Sequence, residues 1–238
     1  MDRKIVKKDM LPFVESFLDT KGYSQLENYD NMKHFGFSKI SNFGRNRITF
    51  TFGDSGFCGN SLFHLRIPQV EDIILKVGIP NMNLTSYYTK ENFLYTIKDT
   101  NSQYKYPSDI LSKQGMDNAR KANLILTKAD IEDWKECFVD YFENAGAEFA
   151  TRYAYLPNVL EKLDEIMDSG KKSYKEFICG RTDQFFRALI ISKLCGDDRF
   201  EEKKEYAESI ILMESRKDYH PYYKLLKEEL DKLDPIYN

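Results

Sequence analysis

His64 and Arg66 stand two residues apart in Phe63-His64-Leu65-Arg66-Ile67, where apolar and polar residues alternate. Side chains two apart on a strand point to the same face, so the imidazole and the guanidinium share a surface. If that face is open, Arg66 can grip a carboxylate or phosphate through two parallel hydrogen bonds while His64 supplies a proton or a hydrogen bond. If helices cover it, both become structural polar contacts, since the sequence places no nucleophile or base beside them. A second charged set, Arg181, Asp183 and Arg187, falls in a helical stretch rich in Phe and Leu. Asp183 and Arg187 have the i, i+4 spacing of an ion pair, and the expectation is an ordinary pair on a helix surface rather than an anion site.

Gly53-Asp54-Ser55-Gly56 matches the tetrapeptide around the nucleophile of chymotrypsin-like serine proteases. That chemistry also needs a histidine base and a buried aspartate. His34 is the one histidine upstream, and the two-barrel strand pattern of those enzymes is missing. Asp, Ser and Gly are what a turn between strands needs, and the tetrapeptide reads that way. Asp54 is thereby placed with His64 and Arg66 as a candidate small-ligand pocket. Tyr87, Tyr88, Tyr104 and Tyr106 join large apolar area to a polar tip, which suits a protein-binding surface and an ordinary core alike.

Composition bounds what these residues can serve. A chain of 238 residues that is 42% hydrophobic has enough apolar surface for one large domain or two small ones. Met1-Asp2-Arg3-Lys4 leads into a mixed stretch with no uninterrupted apolar segment, and runs such as residues 188–191 are far too short to cross a bilayer, so a cytoplasmic location without membrane contact is expected. Cys58, Cys137, Cys179 and Cys195 are scattered, with no C-x-x-C pair and no histidine at ligand spacing, which predicts reduced thiols and no metal site. No glycine-rich phosphate loop or dinucleotide fingerprint is present, so no cofactor is expected. The lysines of the first half are spread out and no nucleic-acid-binding signature accompanies them, which argues against nucleic acid as a partner. The formal net charge of -3 hides an asymmetry, for residues 1–126 sum to +4 and residues 127–238 to -7.

The pattern predicts an α+β fold. Residues 10–20 read as a helix with Asp9 as N-cap and Pro12 in the first turn. Strands are expected over 33–41, 47–52, 63–67, 84–88 and 93–98, forming an antiparallel sheet of about four to five strands. Pro68 opens a short helix with Val70, Ile73, Ile74 and Val77 on one face, and Gly78 ends it. Residues 99–126 show no period and form a long connection. From Thr127 the chain turns helical. Thr127-Lys-Ala-Asp130 resembles a capping box, and Ser173-Tyr-Lys-Glu176 reads as the full form at the head of a helix running to Gly196. Stretches 201–216 and 222–233 are amphipathic, giving a C-terminal bundle of α-hairpins. The domains expected are 1–98 and 127–238, joined by 99–126.

The order of a helix, antiparallel strands and then Phe63-His-Leu-Arg-Ile-Pro-Gln-Val-Glu-Asp-Ile-Ile-Leu75 resembles a family of uncharacterised bacterial α+β proteins, some of which sit among immunity proteins of toxin systems. The resemblance covers roughly residues 10–100 and implies a fold, without catalytic residues to transfer. The reading that follows is a non-enzymatic bacterial protein that binds another protein, with the sheet face and the 99–126 connection as the expected surface and an acidic helical part that steers a basic partner. The alternative is a small-ligand binder or enzyme around Asp54, His64 and Arg66, and a homo-oligomeric scaffold using the helical half is a third.

Overall fold

Met10, Val14 and Leu18 recur every four residues, and all three are fully buried on helix α1 (Arg3–Thr20). The computed structural model describes residues 3–26, 34–52, 58–80, 94–99, 127–171 and 173–237. Helix α1 begins before the start that Asp9 suggested, so Pro12 lies inside it rather than in its first turn. A proline there removes one backbone hydrogen bond, a loss that the buried stripe offsets.

Strands β1 (Ser24–Gln25), β2 (His34–Ser41), β3 (Gly44–Phe52), β4 (Cys58–Arg66) and β5 (Ile97–Lys98) form one antiparallel sheet in the order β1-β2-β3-β4-β5. The β1–β2 register pairs Ser24 with Ser38 and Gln25 with Phe37. Phe63, Leu65 and Ile67 are buried while His64 and Arg66 are half-buried, the period of two that the sequence showed. Of the two later strands expected, 84–88 lies outside the described residues and the other is realised at Ile97–Lys98. Helix α2 (Pro68–Val77) follows β4 after Ile67 alone. Pro68 sits in its first turn, Val70, Ile74 and Val77 are buried, and the Gly78 N–H closes it on Ile74 O at 2.8 Å.

Helix α3 (Lys128–Tyr141) starts with the capping box foreseen. Thr127 Oγ1 accepts the Asp130 N–H at 3.2 Å and Asp130 Oδ2 accepts the Thr127 N–H at 2.7 Å. A π-helical turn (Phe142–Gly146) leads into α4 (Ala147–Arg152). Then come α5 (Leu156–Asp168), α6 (Asp183–Leu194), α7 (Phe200–Ile211), a 3-10 turn (Glu214–Tyr219) and α8 (His220–Leu230). The capping box expected at Ser173 does not start a helix. Ser173 Oγ instead donates to Gln184 Oε1 at 2.9 Å and accepts the Lys175 N–H at 3.2 Å. The chain makes a single turn in which the Phe177 and Ile178 N–H groups both reach Tyr174 O at 2.8 Å, Ile178 bridges to Ile97, and α6 begins only at Asp183.

The chain divides into two compact units. One takes Met1–Ser41, Arg45–His64 and Asp99–Ala150, the other Asn42–Gly44, Leu65–Lys98 and Thr151–Asn238. The first is centred on rings: Phe142 lies 5.2 Å from Phe17, 5.3 Å from Phe63 and 5.6 Å from Tyr23 between centroids, and Phe17 meets Phe138 edge-on at 5.5 Å. Gly146 is required there, because a Cβ on it would come within 2.2 Å of the Phe63 ring. In the second unit α6 is the central element, with eleven of its twelve residues buried and α2, α5, α7 and α8 packed against it. A helix surrounded in this way must bury whatever polar residues its sequence contains. Among the described residues no helix is long and apolar enough to cross a membrane.

Candidate functional site

Arg187 is the charged residue that α6 buries most completely, with 2% of its side chain exposed. Its Nε and Nη2 donate to Glu71 Oε1 and Oε2 at 2.8 and 2.9 Å, the two-pronged grip that a planar guanidinium makes on a carboxylate. Its Nη1 donates to Asp183 Oδ2 and, at 3.2 Å, to the carbonyl of Cys179. Glu71, fully buried on α2, also accepts from Thr96 Oγ1 at 2.8 Å, and Thr96 Oγ1 in turn accepts the Ile67 N–H at 3.0 Å. Asp183 Oδ1 takes the Arg181 N–H at 2.8 Å. Burial acts to lower the Arg187 pKa, but Glu71 and Asp183 outweigh it and hold the group above its ordinary value. Gly180 has φ +107°, and a Cβ there would lie 2.2 Å from Asp183 Oδ2 and 2.9 Å from Arg187 Nη1. The turn can therefore approach the cluster only as glycine.

The Asp183–Arg187 pair is thus not the helix-surface pair that its spacing suggested. Helical spacing finds Asp183, but the second carboxylate comes from a residue 116 positions away, which no local pattern contains. A second cluster in the same unit went unnoticed in the sequence. Lys203, 1% exposed, sits between Asp164 Oδ1 at 2.5 Å and Asp197 Oδ2 at 2.6 Å. Asp197 Oδ1 also accepts the Arg199 N–H at 2.9 Å beside the start of α7. Burial acts to raise the Asp197 pKa, but hydrogen bonds from Lys203 and the Arg199 backbone prevail and hold it below the usual carboxylate range. The near neighbours Asp197 and Lys203 carried a signal, six residues apart across a helix start; the contribution of Asp164 carried none.

Of the residues singled out for chemistry, Asp54 and the tyrosines Tyr87, Tyr88, Tyr104 and Tyr106 lie outside the described residues. His64 is half-buried on β4. Arg66 has 11% of its side chain exposed, and its Nη2 is bound by Asp72 Oδ1 of α2 at 2.7 Å, so one edge of the guanidinium already holds a carboxylate from this chain. Burial pushes the Cys179 thiol up to about 12, with Arg187 pulling the other way, and burial with Asp197 pushes Cys195 up to about 12. Thiols held protonated in this way are poor nucleophiles. Among the described residues no group of three or more His, Cys, Asp or Glu side chains could hold a metal ion.

In the first unit one buried polar contact is made by Tyr141, whose hydroxyl donates to Asp99 Oδ2 at 2.5 Å and accepts the Phe63 N–H at 3.3 Å. It ties the end of α3 to β4. No family model, curated protein or solved structure matches the chain. What the geometry offers is a set of buried groups engaged with one another and, on the outside, rows of carboxylates. Helix α3 exposes Glu132, Glu136 and Asp140 at successive i, i+4 positions, α5 exposes Glu161, Glu165 and Asp168, and α7 exposes Glu201, Glu202 and Glu205.

Proposed function

We propose that the chain is a bacterial, cytoplasmic protein that works by binding another protein without catalysis, in the manner of an immunity protein, and that the partner is basic. The observation that carries this reading is the exposure of carboxylates on the outer faces of α3, α5 and α7, in the half of the chain whose formal charge is -7. Glu132, Glu161, Glu165, Asp168, Glu201 and Glu202 are each paired with a Lys or Arg of this chain, and the net negative charge that remains on this half raises the encounter rate with a partner of opposite sign. The inward engagement of Glu71, Asp183, Arg187 and Lys203 supports the same reading, since it leaves these groups tied to one another rather than poised for a substrate. Tyr87, Tyr88, Tyr104 and Tyr106 are the aromatic anchors that this reading assigns on sequence grounds.

Affinity capture of the tagged chain from its native cells, followed by mass spectrometry, should return one protein at equal stoichiometry. With that partner purified, a Glu136→Gln, Glu165→Gln, Glu205→Gln triple variant should associate several-fold more slowly at about 0.02 M salt and nearly normally at about 0.3 M, where screening shortens the reach of charge. An association rate that is unchanged at low salt removes the electrostatic reading, and the return of no stoichiometric partner removes the binding reading altogether.

A further inference from the structure

The end of α6 leaves four carbonyls to be satisfied. Ile191 O accepts the Cys195 N–H at 3.0 Å, Ser192 O accepts the Asp197 N–H at 3.0 Å, and Lys193 O accepts the Gly196 N–H at 3.2 Å. The last two are the crossed pair of bonds with which helices commonly close on a glycine. Leu194 O is left over, and its donors come from a remote part of the chain. The N–H groups of Ile236 and Tyr237 both point at it, at 2.8 and 3.2 Å. Residues 234–237, which follow α8, belong to no helix or strand and cross the end of α6 as a strap.

The side chains of the strap hold on lightly. Pro235 lies 3.3 Å from where a Cβ on Gly196 would stand, and the Tyr237 ring meets Tyr155 edge-on with centroids 5.5 Å apart. Ile236 points outward at 56% exposure, and Tyr155 is 51% exposed. Cys195 is the residue that caps α6 at this spot and is half-buried. Burial, then Cys195 and Tyr155, push the Tyr237 hydroxyl pKa up, which sets the three side chains in one neighbourhood.

We infer that residues 234–237 form a latch on α6 that detaches without unfolding the unit and, when detached, opens Cys195 to reagents in solution. Two N–H groups on one carbonyl and one ring pair are a small fraction of what holds the helices, so this opening lies at the low end of the free-energy range for local openings. Detachment returns Leu194 O and both N–H groups to water, which leaves no polar group buried without a partner.

Alkylation of the full chain with N-ethylmaleimide, mapped residue by residue by mass spectrometry at one fixed pH, tests the latch. Tyr237→Ala and Tyr155→Ala each remove one ring of the pair and should each speed Cys195 modification about tenfold, equivalent to about 1.4 kcal/mol. Tyr237→Phe keeps the ring and should keep the wild-type rate. Cys179, in the same unit, should react at its wild-type rate in all three variants. An unchanged Cys195 rate in Tyr155→Ala overturns the latch, and so does an equal acceleration at Cys179, which would mean that the whole unit had loosened.

Discussion

The ring cluster around Phe142 and the ion cluster around Arg187 solve the same problem in opposite ways. Around Phe142 contacts are numerous and individually weak: four rings at 5.2 to 6.2 Å share the work, and no one of them leaves a charge stranded if it goes. Around Arg187 the contacts are few and directional, and each member is satisfied only while the others stay in place. The first core is sensitive to volume, the second to chemical identity. A buried ion pair adds little net stability over apolar residues of the same shape, yet losing one partner is costly, so the Arg187 cluster specifies how α2 and α6 meet more than it strengthens the unit.

The largest test of this contrast is Arg187→Met. It keeps most of the volume but leaves Glu71 and Asp183 buried without their cation, and urea unfolding should show a loss of about 3–5 kcal/mol. A loss below about 1 kcal/mol would mean that water reaches the carboxylates and that the cluster is not the closed set described. Next is Gly146→Ala, which leaves every charge alone and crowds the Phe63 ring. Overpacking of this kind should cost about 2 kcal/mol, and a neutral result would show the ring core to be looser than its contacts imply. The smallest effect is confined to acid. Because the folded Asp197 pKa is depressed, its contribution is fully present above the ordinary carboxylate value near 3.9 and is lost as pH falls from there through the folded value. The stability gap between wild type and Asp197→Asn should therefore narrow as pH is lowered through that window. A gap that stays constant would place the role of Asp197 in packing rather than in charge.

The parts of the fold that were legible in the sequence are those whose cause is local. Alternation fixed the faces of β4 at Phe63, Leu65 and Ile67, Pro68 and Gly78 bracketed α2, and Thr127 with Asp130 marked the start of α3. Ser173 misled for a complementary reason. Its neighbours satisfy the local rule for a helix start, but Ser173 Oγ is taken by Gln184 and the Lys175 N–H, and the Glu176 carboxylate by Lys171. The ion cluster was half legible: Asp183 and Arg187 announced their pairing, while nothing near Glu71 hints at it, and an i, i+4 pair looks alike in sequence whether it faces water or a core. Lys203 shows the same limit, because lysine is the residue least expected to be buried and its partner Asp164 lies on another helix.

The separation of Glu71 from Arg187 also sets a clock. At synthesis rates of about 5–20 residues per second, the 116 residues between them take roughly 6–23 s to appear. Throughout that time Glu71 lacks the guanidinium that pairs with it in the folded unit. The segments that make up the other unit are complete at Ala150, ahead of Arg187. The newborn chain therefore passes through a defined interval in which one unit has all its segments and the other still lacks Thr151–Asn238, Arg187 among them.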